Sequence, residues 1–438
     1  MTISNEDLLA QFKTEFLDKK HTSASSTVAH TDFTRAMDIS SGEDYQRILQ
    51  MQNYYAECDR ENPYFMPRSG KINDTITVKG KNYISYSGYN YLGLSDHPRV
   101  IEASQKALNQ YGTHAGAARM VGGEMELHNE LESTLAQTFG FDDCVASVGG
   151  YVVNVMTIAY LLGNKDVVFM DEQMHNSGLM GAVAAHARRI IFPHNDYQAL
   201  ENLLEQNRDK YQRAMILVEG AYSMDGDVAN LPELIKLKQI YQAWLMVDEA
   251  HSLGVVGATG RGLCEHWNVN PKEVDLVMGT LSKSFASCGG FICGSQKLID
   301  ALRYFAPGLL LYSTGLPPAN AAAALEAVRV MIEQPERVQN LQTNTKRFVE
   351  LAQERGFDTG CSGASAVVPI MLGDTDAALE VMSELLKVGI MAHAVMYPVV
   401  PRNQARLRFF LTTNHSEEQF VQTLDVLQKH CKPLSLNN

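Results

Sequence analysis

Side chains of complementary chemistry follow several short apolar runs in the middle of the chain. Asp171 follows Phe169-Met170, with His175 and Ser177 close behind; the segment Glu219 to Asp227 follows Met215–Val218. Asp248-Glu249-Ala250-His251 comes after Leu245–Val247, Thr280-Leu281-Ser282-Lys283-Ser284 after Leu276–Met278, and Gly149-Gly150-Tyr151 after Val145–Val148. Taken singly, an Asp or Ser after a strand caps a helix, and a Lys after a Ser is a solvated charge. Together they offer an acid, two imidazoles, hydroxyls, a lysine and a glycine turn. Pyridoxal phosphate needs that set: a lysine for the Schiff base, an acid at the pyridine nitrogen, and N–H and hydroxyl groups at a helix start for the phosphate. Lys283 and Asp248 are the candidates for the first two roles. Gly150, Tyr151 and Thr280 suit the phosphate, His175 a ring face and His251 the ring hydroxyl.

Other chemistries use these residues less well. Asp248-Glu249-Ala250-His251 spells the DEAH box of helicases, but the phosphate-cradling G-x-x-x-x-G-K-[ST] segment such an enzyme requires is missing. A metal held by Asp171, His175, Asp248 and His251 would leave Lys283 and the hydroxyls idle, and the spacing lacks a compact H-E-x-x-H pattern, so no metal is assigned.

These groups meet only if their strands run side by side in one direction, because ligands of an open parallel sheet gather beyond the carboxyl ends of its strands. The runs Val145–Val148, Val167–Met170, Ile190–Phe192, Met215–Val218, Leu245–Val247, Leu276–Met278 and Phe291–Cys293, separated by helical stretches, predict such a buried sheet. The fold class is α/β, with residues 95–330 forming a large domain around a mostly parallel seven-stranded sheet. Residues 331–438 are expected to form a smaller α+β domain, with helices near 337–354, 375–388 and 416–430 and strands at Ala366–Met371 and Leu407–Thr412. An Ala-rich helix from Pro318 to about Ile332 leads into it. Alternation of Ile76, Val78, Tyr83, Ile84 and Tyr86 around Lys79-Gly80-Lys81 predicts a hairpin within an entry segment, 71–94. Residues 1–70 make an N-terminal arm, polar and draped over its first forty residues, with a helix from Ser41, capped with Asp44, to about Tyr55.

The 438 residues are 45% apolar and 20% charged, a globular composition. The 37 Lys plus Arg against 50 Asp plus Glu leave a net charge of −13, which disfavours nucleic acid or an anionic membrane as the main partner. No run approaches the roughly 20 apolar residues of a transmembrane helix. MTISNEDLLAQFKTE lacks the basic-then-apolar order of a secretory signal, so a cytoplasmic location is expected. The seven cysteines are dispersed with no C-x-x-C, as reduced thiols would be.

From about Gly88 to Lys429 the chain resembles the α-oxoamine synthase family of fold-type I pyridoxal-phosphate enzymes. The blocks that carry the resemblance are Asn90-Tyr91-Leu92-Gly93-Leu94, Gly150 to Asn154, Asp171 with His175 and Ser177, Glu219 to Asp227, Val247 to His251, Thr280 to Lys283 and Tyr312 to Pro318. Arg406-Leu407-Arg408 and His415 complete the order. The resemblance implies that Lys283 is the Schiff-base lysine, that Asp248 partners the pyridinium nitrogen and that His175 stacks on the ring. It places Ser223 and His251 at the ring hydroxyl and Gly150, Tyr151 and Thr280 near the phosphate. It further implies a homodimer with the active site at the interface, where Ser313 and Thr314 reach the neighbour's phosphate. Asn90 and Arg408 match positions that hold the amino-acid carboxylate, with Arg406 the alternative, since residues two apart share a strand face. Gly112 to Gly123 is less Gly/Ser-rich than in many members, which leaves substrate preference open. The arm resembles that of members encoded with lipid or polyketide machinery, which take acyl groups from an acyl carrier protein.

The reaction so implied is a decarboxylative Claisen condensation of glycine, alanine or serine with an acyl thioester, giving an α-aminoketone, carbon dioxide and a free thiol. Lys283, Asp248, His175 and His251 are its candidate catalytic groups. Transamination or retro-aldol cleavage on the same fold is the nearest alternative, because fold alone does not select chemistry. A non-catalytic heterodimer partner and a carrier-docking protein are the others.

Overall fold

Strands form where apolar residues run without interruption, and the burial they find explains why they need not alternate. The structure, a computed structural model, describes residues 38–58, 61–397 and 399–431. The first strands are β1 (Arg68–Ser69), β2 (Thr75–Val78) and β3 (Lys81–Ser85), the last two forming the expected hairpin. Next come β4 (Asp143–Ser147), β5 (Val167–Asp171), β6 (Arg188–Phe192), β7 (Ala214–Glu219), β8 (Trp244–Asp248), β9 (Leu276–Thr280) and β10 (Gly290–Gly294). These seven, which correspond to the seven predicted runs, make one sheet in the order β4-β10-β9-β8-β7-β5-β6. Helices cover both of its faces, and β5, β7, β9 and β10 are buried at every position. Only β6 ends the sheet with exposed positions, among them Arg188 and Arg189, whose charge blunts the open edge.

The neighbours β9/β8, β8/β7, β7/β5 and β5/β6 are parallel, and β10 alone runs against both β9 and β4. The carboxyl ends of β4, β5, β7, β8 and β9 therefore open on one edge. Register fixes their order there: Glu219 pairs with Asp248, Asp248 with Met278, and Gly290 lies opposite both Thr280 and Ser147. Gly290 has to be glycine, because a Cβ there would stand 2.5 Å from Gly150 Cα.

Beyond the helix Pro318–Glu333, the strands β11 (Val367–Gly373), β12 (Ile390–Met391), β13 (His393–Val395) and β14 (Ala405–Phe410) alternate with helices Glu336–Glu354, Thr375–Lys387 and Glu417–His430. β14 lies between β11 and β13, antiparallel to both. β12 leaves this group and pairs in parallel with β3. The entry hairpin is thus a four-stranded sheet completed by the C-terminal segment, and Tyr86 packs there against Phe409, Phe348 and His415. Strands of two and three residues carry too little pattern to be read from sequence.

The helix near the start runs Glu43–Glu57, and its cap differs from the expectation. Ser41 closes a preceding 3-10 turn and bonds Asp38 O at 2.8 Å, while Gly42 takes the cap position without any side-chain bond. Asp38 accepts Ser40 N–H at 3.0 Å and so forms the first turn earlier than Ser41 could. The draped arm lies, through residue 37, outside the described residues. Among the described residues no helix is long and apolar enough to cross a membrane.

Candidate active site

Each strand end delivers its residue to the common edge. Asp248, buried at the tip of β8, accepts Asn154 Nδ2 at 2.7 Å and its own turn's Ala250 N–H at 3.0 Å. Beside it Glu219 ends β7, accepting His175 N–H at 2.7 Å and Ser223 N–H at 3.3 Å. Burial, and then the Asp248 charge next to it, push the Glu219 carboxyl up to about 8. Lys283 stands in the turn after β9, its Nζ 5.4 Å from the Tyr89 ring centre. Burial pulls its ammonium down to about 8 against the opposing pull of Asp248 and Glu219. An amine that sheds its proton near neutrality can serve as nucleophile and base.

His175 caps the helix Asn176–Ala184, with Nδ1 2.7 Å from Ser177 Oγ. Burial lowers its pKa, and Tyr151 meets its ring edge-on at 6.5 Å between centroids. His251 Nδ1 lies 2.8 Å from Tyr91 Oη, and its ring is parallel to Phe410 within 11°. Burial, followed by the charges of Lys283 and Arg408, holds it well below the ordinary imidazole range.

Gly149 and Gly150 lead into the helix Gly150–Leu161. A Cβ on Gly150 would come within 2.7 Å of Met278 Cε and 3.3 Å of Thr280 Oγ1, so glycine keeps this helix start open beside the threonine. Thr280 Oγ1 donates to Gly289 O at 3.1 Å and accepts Ser282 N–H at 3.2 Å. These features fit pyridoxal phosphate: an anion-binding helix start, an amine with a loosened proton, and a fixed carboxylate. Asn154 Oδ1, buried beside Asp248 and without a donor among the described residues, marks further unused polar capacity.

The two arginines of β14 separate clearly. Both share one face, Arg408 opposite Pro369 and Arg406 opposite Met371. Arg406 is ion-paired with Asp225 and bonded to Gln404 O at 3.1 Å. Arg408 donates to Ser223 O at 3.0 Å, lies over the Phe410 ring, and has no carboxylate partner among the described residues. Asn90, by contrast, turns inward. Its amide bonds Ile72 O, Ser95 Oγ, Leu94 N–H and Ser95 N–H within 3.1 Å, holding the turn from which Tyr89 and Tyr91 reach the site. Ser313 and Thr314 stand in a surface stretch beside exposed Tyr312, with hydroxyls on the carbonyls of Thr314 and Gly315.

Sequence reasoning assigned no role to Asn154, Glu219, Tyr89, Tyr91 or His194. Glu219 carried a signal, as the first residue after an apolar run, and Asn154 stands one turn after Gly150. His194 carried none. It bridges Asp171 Oδ1 at 3.0 Å and Asp227 Oδ2 at 2.9 Å, while Asn195 also bonds both carboxylates. Burial alone would lower its pKa, but the hydrogen bonds and charges of Asp171 and Asp227 raise it to about 10 from an ordinary 6.5. Because the folded value is the higher one, the stabilisation is complete below about pH 6.5 and fades as pH rises toward 10. The Tm gap between the wild type and His194→Gln should therefore narrow as pH is raised across that window; a gap that stays constant would contradict the bridge.

The family model for aminotransferase class I and II matches residues 81–427. The chain is 37% identical to 8-amino-7-oxononanoate synthase of Thermoanaerobacter pseudethanolicus over 359 residues, covering 82% of this chain and 90% of that one. It is 34% identical to serine palmitoyltransferase of Sphingobacterium spiritivorum, with 86% and 93% of the two chains covered. Among solved structures, serine palmitoyltransferase from S. paucimobilis with bound PLP–myriocin aldimine superposes with a TM-score of 0.84 at 27% identity, over 90% of this chain and 98% of that one.

Proposed function

The chain belongs to the aminotransferase class I and II family and, within it, to the α-oxoamine synthases, and from that membership we propose how its own residues divide the work. It is a pyridoxal-phosphate-dependent acyltransferase that condenses a small α-amino acid with an acyl thioester, giving an α-aminoketone, carbon dioxide and a free thiol. When bound, pyridoxal phosphate supplies an electron sink for negative charge at the amino acid's α-carbon. Lys283 would carry the cofactor, Asp248 hold its pyridine nitrogen, His175 cover the ring, and Ser223 and His251 face the ring hydroxyl. Gly150, Tyr151 and Thr280 would hold the phosphate.

Lys283 Nζ takes the α-proton, which its lowered pKa allows near neutral pH. Arg408 binds the amino-acid carboxylate, and the observation that carries this is its half-buried guanidinium, without a counter-ion among the described residues, beside an Arg406 already paired with Asp225. The Tyr89 ring lies against the Lys283 amine and the Phe410 ring against the Arg408 guanidinium, which holds each cation in place.

The working unit is a homodimer with the site at its interface. Tyr312, Val121, Phe305 and Tyr304 are 81%, 76%, 67% and 64% exposed, apolar surface that supports a partner chain covering them. Helix Pro307–Leu310, between Phe305 and Tyr312, packs on the helix that carries Tyr151, and Gly315 N–H bonds Ala117 O near Val121 at 3.1 Å. Ser313 and Thr314 would reach the neighbour's phosphate from this surface. All seven cysteines are free, which supports a reducing, cytoplasmic compartment.

Thiol release is the test: purified protein, shown by sedimentation to be two chains, is supplied with acyl-coenzyme A or acyl carrier protein and with glycine, alanine or serine in turn. One amino acid should support release. Arg408→Lys should raise the KM for that amino acid about tenfold or more while leaving the thioester KM nearly unchanged, since one strong charged hydrogen-bond pair is lost. Keto-acid formation without thiol release would favour transamination instead.

A further inference from the structure

Asp248 and His175, assigned above to the nitrogen and one face of the same ring, are joined by a continuous chain of hydrogen bonds through two buried side chains. Asn154 Nδ2 donates to Asp248 Oδ2 at 2.7 Å and to Ser177 Oγ at 2.8 Å, and Ser177 Oγ lies 2.7 Å from His175 Nδ1. Asn154 and Ser177 are each 1% exposed, so water does not compete.

The chemistry of each group sets a direction along the chain. A carboxylate oxygen accepts, so the amide nitrogen of Asn154 must face Asp248, and its two hydrogens are spent on Asp248 and Ser177. Ser177 Oγ, receiving one of them, turns its own hydrogen to His175 Nδ1. That nitrogen also receives Ser177 N–H at 3.3 Å, so it is an acceptor twice over and the ring's proton resides on Nε2. Asn154 Oδ1 has no donor among the described residues, so only Asp248 and Ser177 orient the amide.

The three segments involved are far apart in sequence: the helix after β4, the helix start after β5 and the tip of β8. We propose that Asn154 and Ser177 are positioning residues that set the Asp248 carboxylate and the Nε2–H tautomer of His175 as one unit. The inference rests on the assignment of Asp248 and His175 to pyridoxal phosphate. Buried networks of this kind strengthen link by link, and cutting any link releases the rest.

The test is a double-mutant cycle on Ser177→Ala and Asn154→Ala, with Ser177→Thr as the variant that restores a hydroxyl. The readouts are the dissociation constant for pyridoxal phosphate, by titration of the cofactor-free protein, the visible circular dichroism of the loaded protein, and kcat. Ser177→Ala should weaken cofactor binding about tenfold, lower kcat by a similar factor and alter the dichroic band, as loss of a hydrogen bond linked to a charged group does. Ser177→Thr should return all three most of the way. The double variant should lose little more than the worse single variant, because both cuts open one chain. Fold-losses that multiply, or a dichroic band and affinity unchanged in Ser177→Ala, overturn the proposal while leaving the cofactor assignment intact. Wild-type protein that binds no pyridoxal phosphate overturns both.

Discussion

Lys283→Ala should lower turnover by about 10²–10⁴-fold, the range supplied by a positioned general base. The loss is expected to be chemical rather than structural. The turn around Lys283 is held by its neighbours: Leu281 and Phe285 are fully buried, Ser284 Oγ donates to Leu253 O at 2.7 Å, and Ser287 Oγ to Asn320 O at 2.6 Å. None of these contacts involves the lysine side chain. Removing an amine that burial already disfavours in its charged form should leave Tm unchanged or slightly higher. The comparison to make is single-turnover thiol release on pyridoxal-phosphate-loaded protein and the thermal transition of the cofactor-free protein, where no bound ligand adds to stability. A variant that keeps most of its turnover would remove Lys283 from the mechanism. Partial recovery on adding a small primary amine would show that the missing function is the amine itself.

The largest stability effect is expected away from the chemistry, in Glu132→Ala. Glu132 is buried in the helix Glu126–Phe139, where it is ion-paired with Arg119, accepts Ala146 N–H at 2.7 Å and lies 3.4 Å from an Arg303 nitrogen. Arg119 also donates to Ala146 O at 2.9 Å, so the pair pins the segment before this helix to strand β4. Truncation leaves a buried guanidinium and a strand N–H without their acceptor, a loss of about 3–5 kcal/mol. Glu124 still holds the other side of Arg119, at 2.6 Å, which places the expected loss near the lower end. In a chain of 438 residues that corresponds to a fall in Tm on the order of 3 °C. Glu132→Gln, which keeps an acceptor of the same shape, should lose less than Glu132→Ala. A Tm within about 1 °C of wild type for the Ala variant would show that Arg119 finds other partners.

The same pair bears on the site. Arg119 belongs to the stretch Gly112 to Gly123, which departs from the Gly/Ser-rich pattern, and Ala117 O in that stretch accepts Gly315 N–H at 3.1 Å beside Ser313 and Thr314. Loosening Arg119 should therefore be felt at the surface through which the second chain is proposed to complete the site.

Lys283, Asp248, His175 and Thr280 were legible from sequence because each follows a run of apolar residues, and the rule that ligands collect beyond parallel strand ends needs no coordinates. The seven runs themselves were legible because a strand buried on both faces shows as unbroken hydrophobicity over a few residues, which is a local property. The order in which the strands lie is not local, and everything that depends on adjacency waited for it. Glu219 becomes a neighbour of Asp248 only because β7 pairs with β8 in that register. Asn154 meets Asp248 across 94 residues, and His194 meets Asp227 across 33. Arg406 and Arg408 are identical in type and share a strand face, so spacing could not separate them; the Asp225 carboxylate, brought against Arg406 and not Arg408, does. Sequence alone determined which chemistries the chain could bring to one edge, since residue type and local hydrophobic pattern are written along it. Tertiary structure decided which of those groups hold one another in place and which have no ion-pair partner among the described residues, because hydrogen bonds and ion pairs act over a few ångströms between residues that only the packed sheet brings together.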